Sequence, residues 1–218
     1  MLLDIEGTTT PVEFVHTTLF GYARARVQEF LERHEADADV QADIALLRAE
    51  NPQMASVSAY VHWLMDRDRK STGLKSLQGK IWEEGYRAGE LRGEVYPDVA
   101  PALARWREQG KDVAIFSSGS VQAQRDLFAH TQVGDLTPFI RAYFDTTTGP
   151  KAAVQSYAHI AATLETSPSD VLFVSDVSAE LDAAQAAGMH TALCVRTPAS
   201  ATPTGGHTVI QTFAQLPG

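Results

Sequence analysis

Cysteine is almost absent from the sequence: Cys194 is the only one among 218 residues, and it lies in an apolar run. An internal disulfide is therefore impossible, and a reducing compartment is expected. The N-terminus runs directly from Met1 and two leucines to an acid, without the basic region and cleavage site of a signal peptide. We therefore expect a cytoplasmic protein.

Long apolar runs and excess positive charge are also lacking. No window approaches the roughly 18 apolar residues of a membrane span, so no membrane-embedded segment is expected. The 18 Lys and Arg face 27 Asp and Glu, for a net charge of −9. Because no basic cluster occurs, neither nucleic acid nor an anionic membrane is an expected partner. A small anionic substrate is still compatible, since a local metal ion and a lysine can outweigh the global charge.

The longest uniform pattern in the chain is helical. Within residues 13–92, apolar residues recur at helical spacing in four groups, around 14–31, 37–48, 57–65 and 74–89. No other part of the chain resembles this segment. We predict an all-helical insert over 13–92 with its own core, whereas 1–12 and 93–218 form the main domain.

After residue 96 the pattern alternates between strand and helix. Strands are predicted over 112–116, 142–145, 171–174 and 191–195, and helices over 99–109, 117–130, 151–164 and 177–187. A loop-rich run over 197–206 leads to one last short strand or helix. Such alternation is typical of βαβ units. The predicted fold class is α/β, with a Rossmann-like parallel sheet and the helical insert after strand 1.

Two acids follow the first short strand. Asp4 and Glu6 are one residue apart, and Gly7 allows a turn after them. Ligands bind at the carboxyl ends of parallel strands, where the Asp4 carboxylate and the Glu6 carbonyl would suit Mg²⁺. Asp4 could then attack phosphorus, and the Glu6 side chain could act as acid and then base. The alternative is an ordinary turn-forming aspartate.

Later strand ends carry further candidates. Ser117 and Ser118 are predicted at a helix start, where hydroxyls and N–H groups bind anions, although serine there can also be a simple N-cap. Lys151 is predicted to open the next helix, where a cation is unfavourable unless an anion offsets it; a solvated lysine is the alternative. Asp176 ends a hydrophobic strand and would complete a Mg²⁺ site with Asp4, and Glu180 could hold a metal-bound water.

The order Asp-x-Glu, Ser, Lys, Asp at four strand ends resembles the haloacid dehalogenase-like superfamily of aspartyl-phosphate-forming phosphohydrolases. Within it, segments 4–9, 68–82, 117–124 and 175–180 look like the enolase-phosphatase family, also called acireductone synthases. The resemblance spans nearly the whole chain. Its Asp-x-Glu pair is distinctive, because most relatives have Asp at the second position.

The resemblance implies a haloacid dehalogenase-type fold, with the insert as a cap, and a Mg²⁺-dependent, monomeric enzyme of methionine salvage. The substrate would be 2,3-diketo-5-methylthiopentyl-1-phosphate, which is enolised and then dephosphorylated to the acireductone. Carried over by position, Asp4 is nucleophile and metal ligand, and Glu6 gives its carbonyl to the metal and its carboxyl to proton transfer. Ser117, Ser118 and Lys151 hold the phosphate, and Asp176 is a metal ligand.

Several residues of the insert are candidates for contact with the substrate. Lys75 and Gln78 are hypothesised to select the substrate. His62 lies on an apolar stripe, which favours a packed helix histidine over a catalytic base. The aromatic residues Trp63, Trp82 and Tyr86 could shield the methylthio tail, but helical stripes usually face a core. The insert is expected to act as a lid that excludes water.

Three rival functions remain open from the residues alone. A phospho-accepting receiver module uses similar groups around Mg²⁺, but it would need neither the insert nor Glu6. A phosphatase for another small phosphate ester keeps the chemistry and changes the substrate. A dehalogenase fits poorly, because the second group of acids would be superfluous.

Overall fold

The computed structural model describes residues 1–67, 69–196 and 206–216. The chain divides into two compact units, one formed by Met1–Val12 with Gly93–Gly218 and the other by Glu13–Arg92. Two predicted features lie outside the described residues, namely Asp68 of the 68–82 motif and nearly all of the loop-rich run, residues 197–205. No helix in the described ranges is long and apolar enough to cross a membrane.

The first unit contains a six-stranded, wholly parallel sheet, which confirms the predicted fold class. The strands lie in the order β3-β2-β1-β4-β5-β6. This is the strand order of a doubly wound sheet, with its crevice where the order reverses beside β1. The strands are β1 (Leu2–Leu3), β2 (Ala114–Phe116), β3 (Ala142–Phe144), β4 (Leu172–Ser175), β5 (His190–Cys194) and β6 (Thr208–Ile210).

Strand β1 is short but central. Leu2 and Leu3 are fully buried, because they lie between two parallel neighbours and helices cover both faces of such sheets. The helices of this unit are α5 (Val99–Glu108), α6 (Val121–Ala129), α7 (Val154–Thr163) and α8 (Ser178–Ala186). Below the strand ends, Tyr157 of α7 packs against Phe116 and Phe173, with ring centroids 5.6 and 5.1 Å apart.

The second unit is helical, as predicted. A π-helical segment, Phe14–Leu19, runs into α1 (Phe20–Arg33), followed by α2 (Ala38–Glu50), α3 (Val57–Asp66) and α4 (Thr72–Arg87). Its core joins one face of each helix, including Phe30, Leu47, Val61 and Leu77. Gly85 permits α1 and α4 to approach closely, since a β-carbon there would lie 2.7 Å from the Tyr22 ring.

The aromatic residues of this unit differ in burial. Tyr86 is buried and Trp82 packs against the core, as predicted. Trp63 is 42 % exposed and stacks on Tyr60, so its prediction as a core residue was wrong. The His62 ring lies on α3 with Nε2 3.0 Å from the Arg24 carbonyl oxygen, a packing contact between helices.

Candidate active site

Asp4 follows the central strand of the sheet. Leu3 is in register with Ile115 of β2 and with Val174 of β4, so the residues after all three strands lie along one edge. The Asp4 N–H donates to the Val174 carbonyl at 3.0 Å, which extends the β1–β4 pairing to the carboxylate-bearing residue itself. The side chain thereby projects from the end of the sheet at a fixed point.

The Asp4 carboxylate is buried and held at both oxygens. Its Oδ1 accepts from Lys151 Nζ at 2.6 Å and from the Ile5 N–H at 2.8 Å. Its Oδ2 accepts from the Ser175 hydroxyl at 3.2 Å. Only 4 % of the residue is exposed. A carboxylate with so many donors is oriented before any ligand arrives.

Lys151 joins two carboxylates. Its Nζ lies 2.6 Å from Asp4 and 2.7 Å from Glu180, and 9 % of its side chain is exposed. Burial by itself lowers the pKa of Lys151, but the negative charges of Asp4 and Glu180 outweigh burial and raise it. The ammonium group is therefore charged throughout the physiological range.

The predicted location of Lys151 at a helix start was wrong. Helix α7 begins at Val154, and Lys151 lies in the preceding turn. This turn is fixed from α7, because the Ser156 hydroxyl donates to the Pro150 carbonyl at 2.8 Å and the Tyr157 hydroxyl donates to the Lys151 carbonyl at 2.6 Å. The carboxylates of Asp4 and Glu180 therefore balance the positive charge of Lys151, so an anion bound at a helix start is not needed to explain it.

Asp176 follows β4 and lies against the turn after Asp4. A β-carbon built on Gly7 would stand 2.1 Å from Asp176 Oδ2, and Gly7 has a φ of +70°. Burial, and next the charge of Asp4, raise the pKa of Asp176 to about 7. The same two causes raise the pKa of Glu180.

Glu6 lies in the turn beside Gly7. It is half-buried, and the turn is closed by a hydrogen bond from the Gly7 N–H to the Thr10 carbonyl at 2.9 Å. The two predicted acids therefore differ in position: Asp4 directly follows strand β1, whereas Glu6 lies in the loop after it.

The cluster fits a divalent cation. Three acids (Asp4, Asp176 and Glu180) influence one another in a largely buried place, and the single ammonium group of Lys151 contacts two of them. The raised pKa values of Asp176 and Glu180 reflect burial and an excess of negative charge there. Such an excess is costly unless a cation balances it, and oxygen donors suit a hard divalent ion. No group of three or more His, Cys, Asp or Glu side chains arranged to hold a metal ion is found in the described ranges. The predicted ligands need only two, Asp4 and Asp176, with the Glu6 carbonyl as third.

Ser117 and Ser118 lie in a loop, so their predicted place at a helix start was also wrong. Helix α6 begins at Val121, and its N-cap is Ser120, whose hydroxyl accepts from the Ala123 N–H. The N-cap alternative therefore does not apply to the two earlier serines. Ser117 is 9 % exposed and its N–H donates to the Phe144 carbonyl at 3.1 Å, whereas Ser118 is exposed.

Two supporting residues lie in the segments 117–124 and 175–180 that carry the resemblance, but the sequence predicted no role for them. Ser175 binds both Asp4 and Glu180, the latter at 3.1 Å. Gln124 is buried on α6, and its amide nitrogen donates to the carbonyls of Gly119 and Phe144 at 2.9 Å each. Gln124 thereby ties the serine loop to the end of β3. The sequence signal for Gln124 was a polar residue on the apolar face of a short amphipathic helix, which indicates a buried side chain with hydrogen-bond partners.

Comparison with known proteins gives a consistent picture. Residues 1–188 match the family model of the haloacid dehalogenase-like hydrolases. Enolase-phosphatase E1 of Synechococcus elongatus is 52 % identical over 229 residues, covering 99 % of this chain and 96 % of that protein. Enolase-phosphatase E1 of Sorangium cellulosum is 48 % identical over 223 residues, with the same coverage of each chain.

The similarity extends to solved structures. The crystal structure of the UTR4 protein of Saccharomyces cerevisiae superposes with a TM-score of 0.83 at 35 % identity, covering 99 % of this chain and 98 % of that one. The similarity therefore includes both compact units and not only the common sheet.

Proposed function

We infer the reaction of this chain from its family, since it belongs to the enolase-phosphatases within the haloacid dehalogenase-like hydrolases. The chain is an enzyme of methionine salvage that removes phosphate from a small substrate. We propose that this substrate is 2,3-diketo-5-methylthiopentyl-1-phosphate, which is first enolised and then hydrolysed to the acireductone. The observation that carries the proposal is the buried Asp4 carboxylate held by Lys151 and Ser175.

In the proposed mechanism, Asp4 Oδ attacks phosphorus and the bond from phosphorus to the substrate oxygen breaks. The phosphoryl group is then on Asp4, and the departing oxygen takes a proton from the Glu6 carboxyl. Glu6, now a carboxylate, removes a proton from water as that water attacks the phospho-aspartate. Inorganic phosphate leaves and both acids return to their first state.

The remaining residues bind and orient. Lys151 offsets charge on the transferring phosphoryl oxygens, and Ser117 and Ser118 supply hydroxyl and backbone donors from the neighbouring strand end. Asp4, Asp176 and the Glu6 carbonyl would hold Mg²⁺. When bound, Mg²⁺ supplies Lewis-acid stabilisation of negative charge on the phosphoryl group. We propose that the protein acts as a cytoplasmic monomer.

The decisive experiment supplies the diketo-phosphate and Mg²⁺ without oxygen and follows enol absorbance and phosphate release together. Enol formation followed by phosphate is expected, and Asp4→Asn should release none. Glu6→Gln should slow phosphate release strongly. Phosphate from generic esters, with no reaction of the diketone, would reject the proposed substrate. A long-lived phospho-Asp4 without turnover would favour a receiver-type switch.

A further inference from the structure

Arg196 follows strand β5 and reaches the loop after Asp4. Its Nε and Nη2 atoms both donate to the Thr8 carbonyl oxygen, at 2.9 and 2.6 Å. Only 7 % of its side chain is exposed. A buried guanidinium that donates two hydrogen bonds to one loop carbonyl has a defined position, because all of its donors lie in one rigid plane.

The guanidinium is itself held on every side. Its Nη1 lies 2.7 Å from the Asp98 carboxylate, and its central carbon stands 4.3 Å from the Tyr96 ring centroid and 4.6 Å from that of Phe213. Asp98 also accepts from the Phe213 N–H at 2.6 Å and from the Thr212 hydroxyl at 2.8 Å. The ion pair is thus partly buried and fully hydrogen-bonded, which is the arrangement in which such pairs are rigid.

The loop that Arg196 holds is the one that carries the proposed acid and base. Thr8 comes two residues after Glu6. The next carbonyl, that of Thr9, accepts from the Tyr96 N–H at 3.0 Å, and the Thr9 hydroxyl donates to the Asp4 carbonyl at 3.1 Å. The loop is therefore fastened at two successive carbonyls, that of Thr8 by Arg196 and that of Thr9 by the Tyr96 N–H.

We propose that Arg196 is a positioning residue for the Asp-x-Glu loop: by holding the Thr8 carbonyl it fixes where Glu6 stands relative to Asp4. The inference rests on the proposed role of Glu6 in proton transfer. Within the described ranges, the contacts of Arg196 include none of the reacting groups named above, so its removal acts through the loop. Small displacements of an acid or base lower the rate steeply without a matching loss of substrate binding.

The test compares Arg196→Ala with Arg105→Met. Arg105 donates to the Phe213 carbonyl at 2.9 Å and lies over Trp106, so it fastens the same C-terminal turn without touching Thr8. Arg196→Ala is expected to lower kcat about 10- to 100-fold, with KM changed less than about threefold. Both phosphoryl transfer to Asp4 and hydrolysis of phospho-Asp4 should be slower, because Glu6 acts in each step. Arg105→Met should slow neither.

Two measurements separate positioning from general destabilisation. Added guanidinium chloride, at concentrations far below denaturing ones, should restore part of the kcat of Arg196→Ala and none of Arg105→Met. Amide hydrogen exchange of residues 5–10 should be at least about tenfold faster in Arg196→Ala only, since the loop bonds open more often. Equal kcat losses in the two variants, or unchanged exchange in the loop, would overturn the proposal. The exchange result does not depend on the substrate, so it stands even if the diketo-phosphate proves to be wrong.

Discussion

The Asp176 carboxyl lies directly over the α-carbon of Gly7, in a space that a β-carbon would fill at 2.1 Å from Oδ2. Gly7→Ala should therefore displace Asp176 and abolish most activity, by about 100-fold or more, since ligand displacements of this size disrupt phosphoryl-transfer sites. Steady-state phosphate release over a range of Mg²⁺ concentrations measures the effect. A higher Mg²⁺ requirement should accompany the loss.

Gly110→Ala is the matched control for Gly7→Ala. Gly110 has nearly the same φ, +69°, but nothing lies within 4 Å of its would-be β-carbon. Both variants should lose about 1 kcal/mol of stability from the left-handed backbone, whereas only Gly7→Ala should lose activity. Comparable activity in the two variants would contradict the contact with Asp176.

Lys151→Met should lower kcat/KM about 1000-fold, because it removes the cation that offsets charge on both Asp4 and the phosphoryl group. The metal-free variant should also be destabilised, by about 3–5 kcal/mol, since buried carboxylates are left unpaired. Thermal unfolding and phosphate release measure the two effects.

Lys80→Met provides the comparison for Lys151→Met. Lys80 pairs with the buried Asp43 in the helical unit, so its loss also breaks a lysine–aspartate ion pair. It should reduce stability and leave phosphate release per folded molecule within about threefold. A 1000-fold loss in both variants would show that the effect of Lys151 is not specific to the cluster.

Mg²⁺ should stabilise the folded protein. At about 100 times its Kd a ligand of the native state adds about 2.7 kcal/mol. In Asp176→Asn this gain should nearly vanish, whereas the metal-free variant should be more stable than the metal-free wild type, because one excess negative charge is gone. Melting curves with and without EDTA test both. Asp182→Asn, which replaces an exposed acid on the following helix α8, should retain the wild-type Mg²⁺ response.

The His34 ring links two acids of the helical unit, with Nδ1 2.6 Å from Asp37 and Nε2 2.5 Å from Glu84. The hydrogen bond to Asp37, and then that to Glu84, raise the pKa of His34 despite some burial. The stabilisation is therefore complete below the ordinary pKa of about 6.5 and is lost as pH rises through the higher folded-state value. It should amount to about 0.2–1 kcal/mol.

His34→Gln should remove this part of the pH dependence. Melting temperatures of wild type and variant are compared from pH 6 to pH 9, and their difference should shrink as pH rises. His159→Gln, at an exposed histidine of α7, controls for the loss of an imidazole. A difference that grows with pH would reverse the sign and reject the explanation.

The sequence predicted the parallel sheet because apolar runs alternate with helical stripes after residue 96, a signal that needs no tertiary knowledge. It also predicted which polar residues follow the strands, and parallel strands place their ends on one edge. The local starts of helices were less predictable. Lys151 was assigned to a helix start, but tertiary ion pairs with Asp4 and Glu180 account for it.

Contacts between residues far apart in the sequence could not be predicted either. Nothing in the local sequence joins Arg196 to Thr8, and Ser175 gave no sign that it would bind Asp4. Such contacts arise from strand order, which places β4 beside β1 and β5 on the other side of β4 only in the folded sheet. Trp63 was misjudged for a similar reason: periodicity places a residue near a helix face but does not say whether another helix covers it.

The pairing of β1 has a consequence for how the chain folds. Leu2 must find Ala114 on one side and Phe173 on the other, both synthesised long after it, and contacts so distant in sequence form late. The helical unit has its own set of internal contacts within Glu13–Arg92, and the partners in these contacts are synthesised much earlier. During synthesis, the helical unit is therefore expected to fold before the proposed nucleophile, Asp4, reaches its position in the sheet. Catalytic competence should arise only once Ser175 and Asp176 have been made, so chains that end before these two residues should be inert even when part of them is folded.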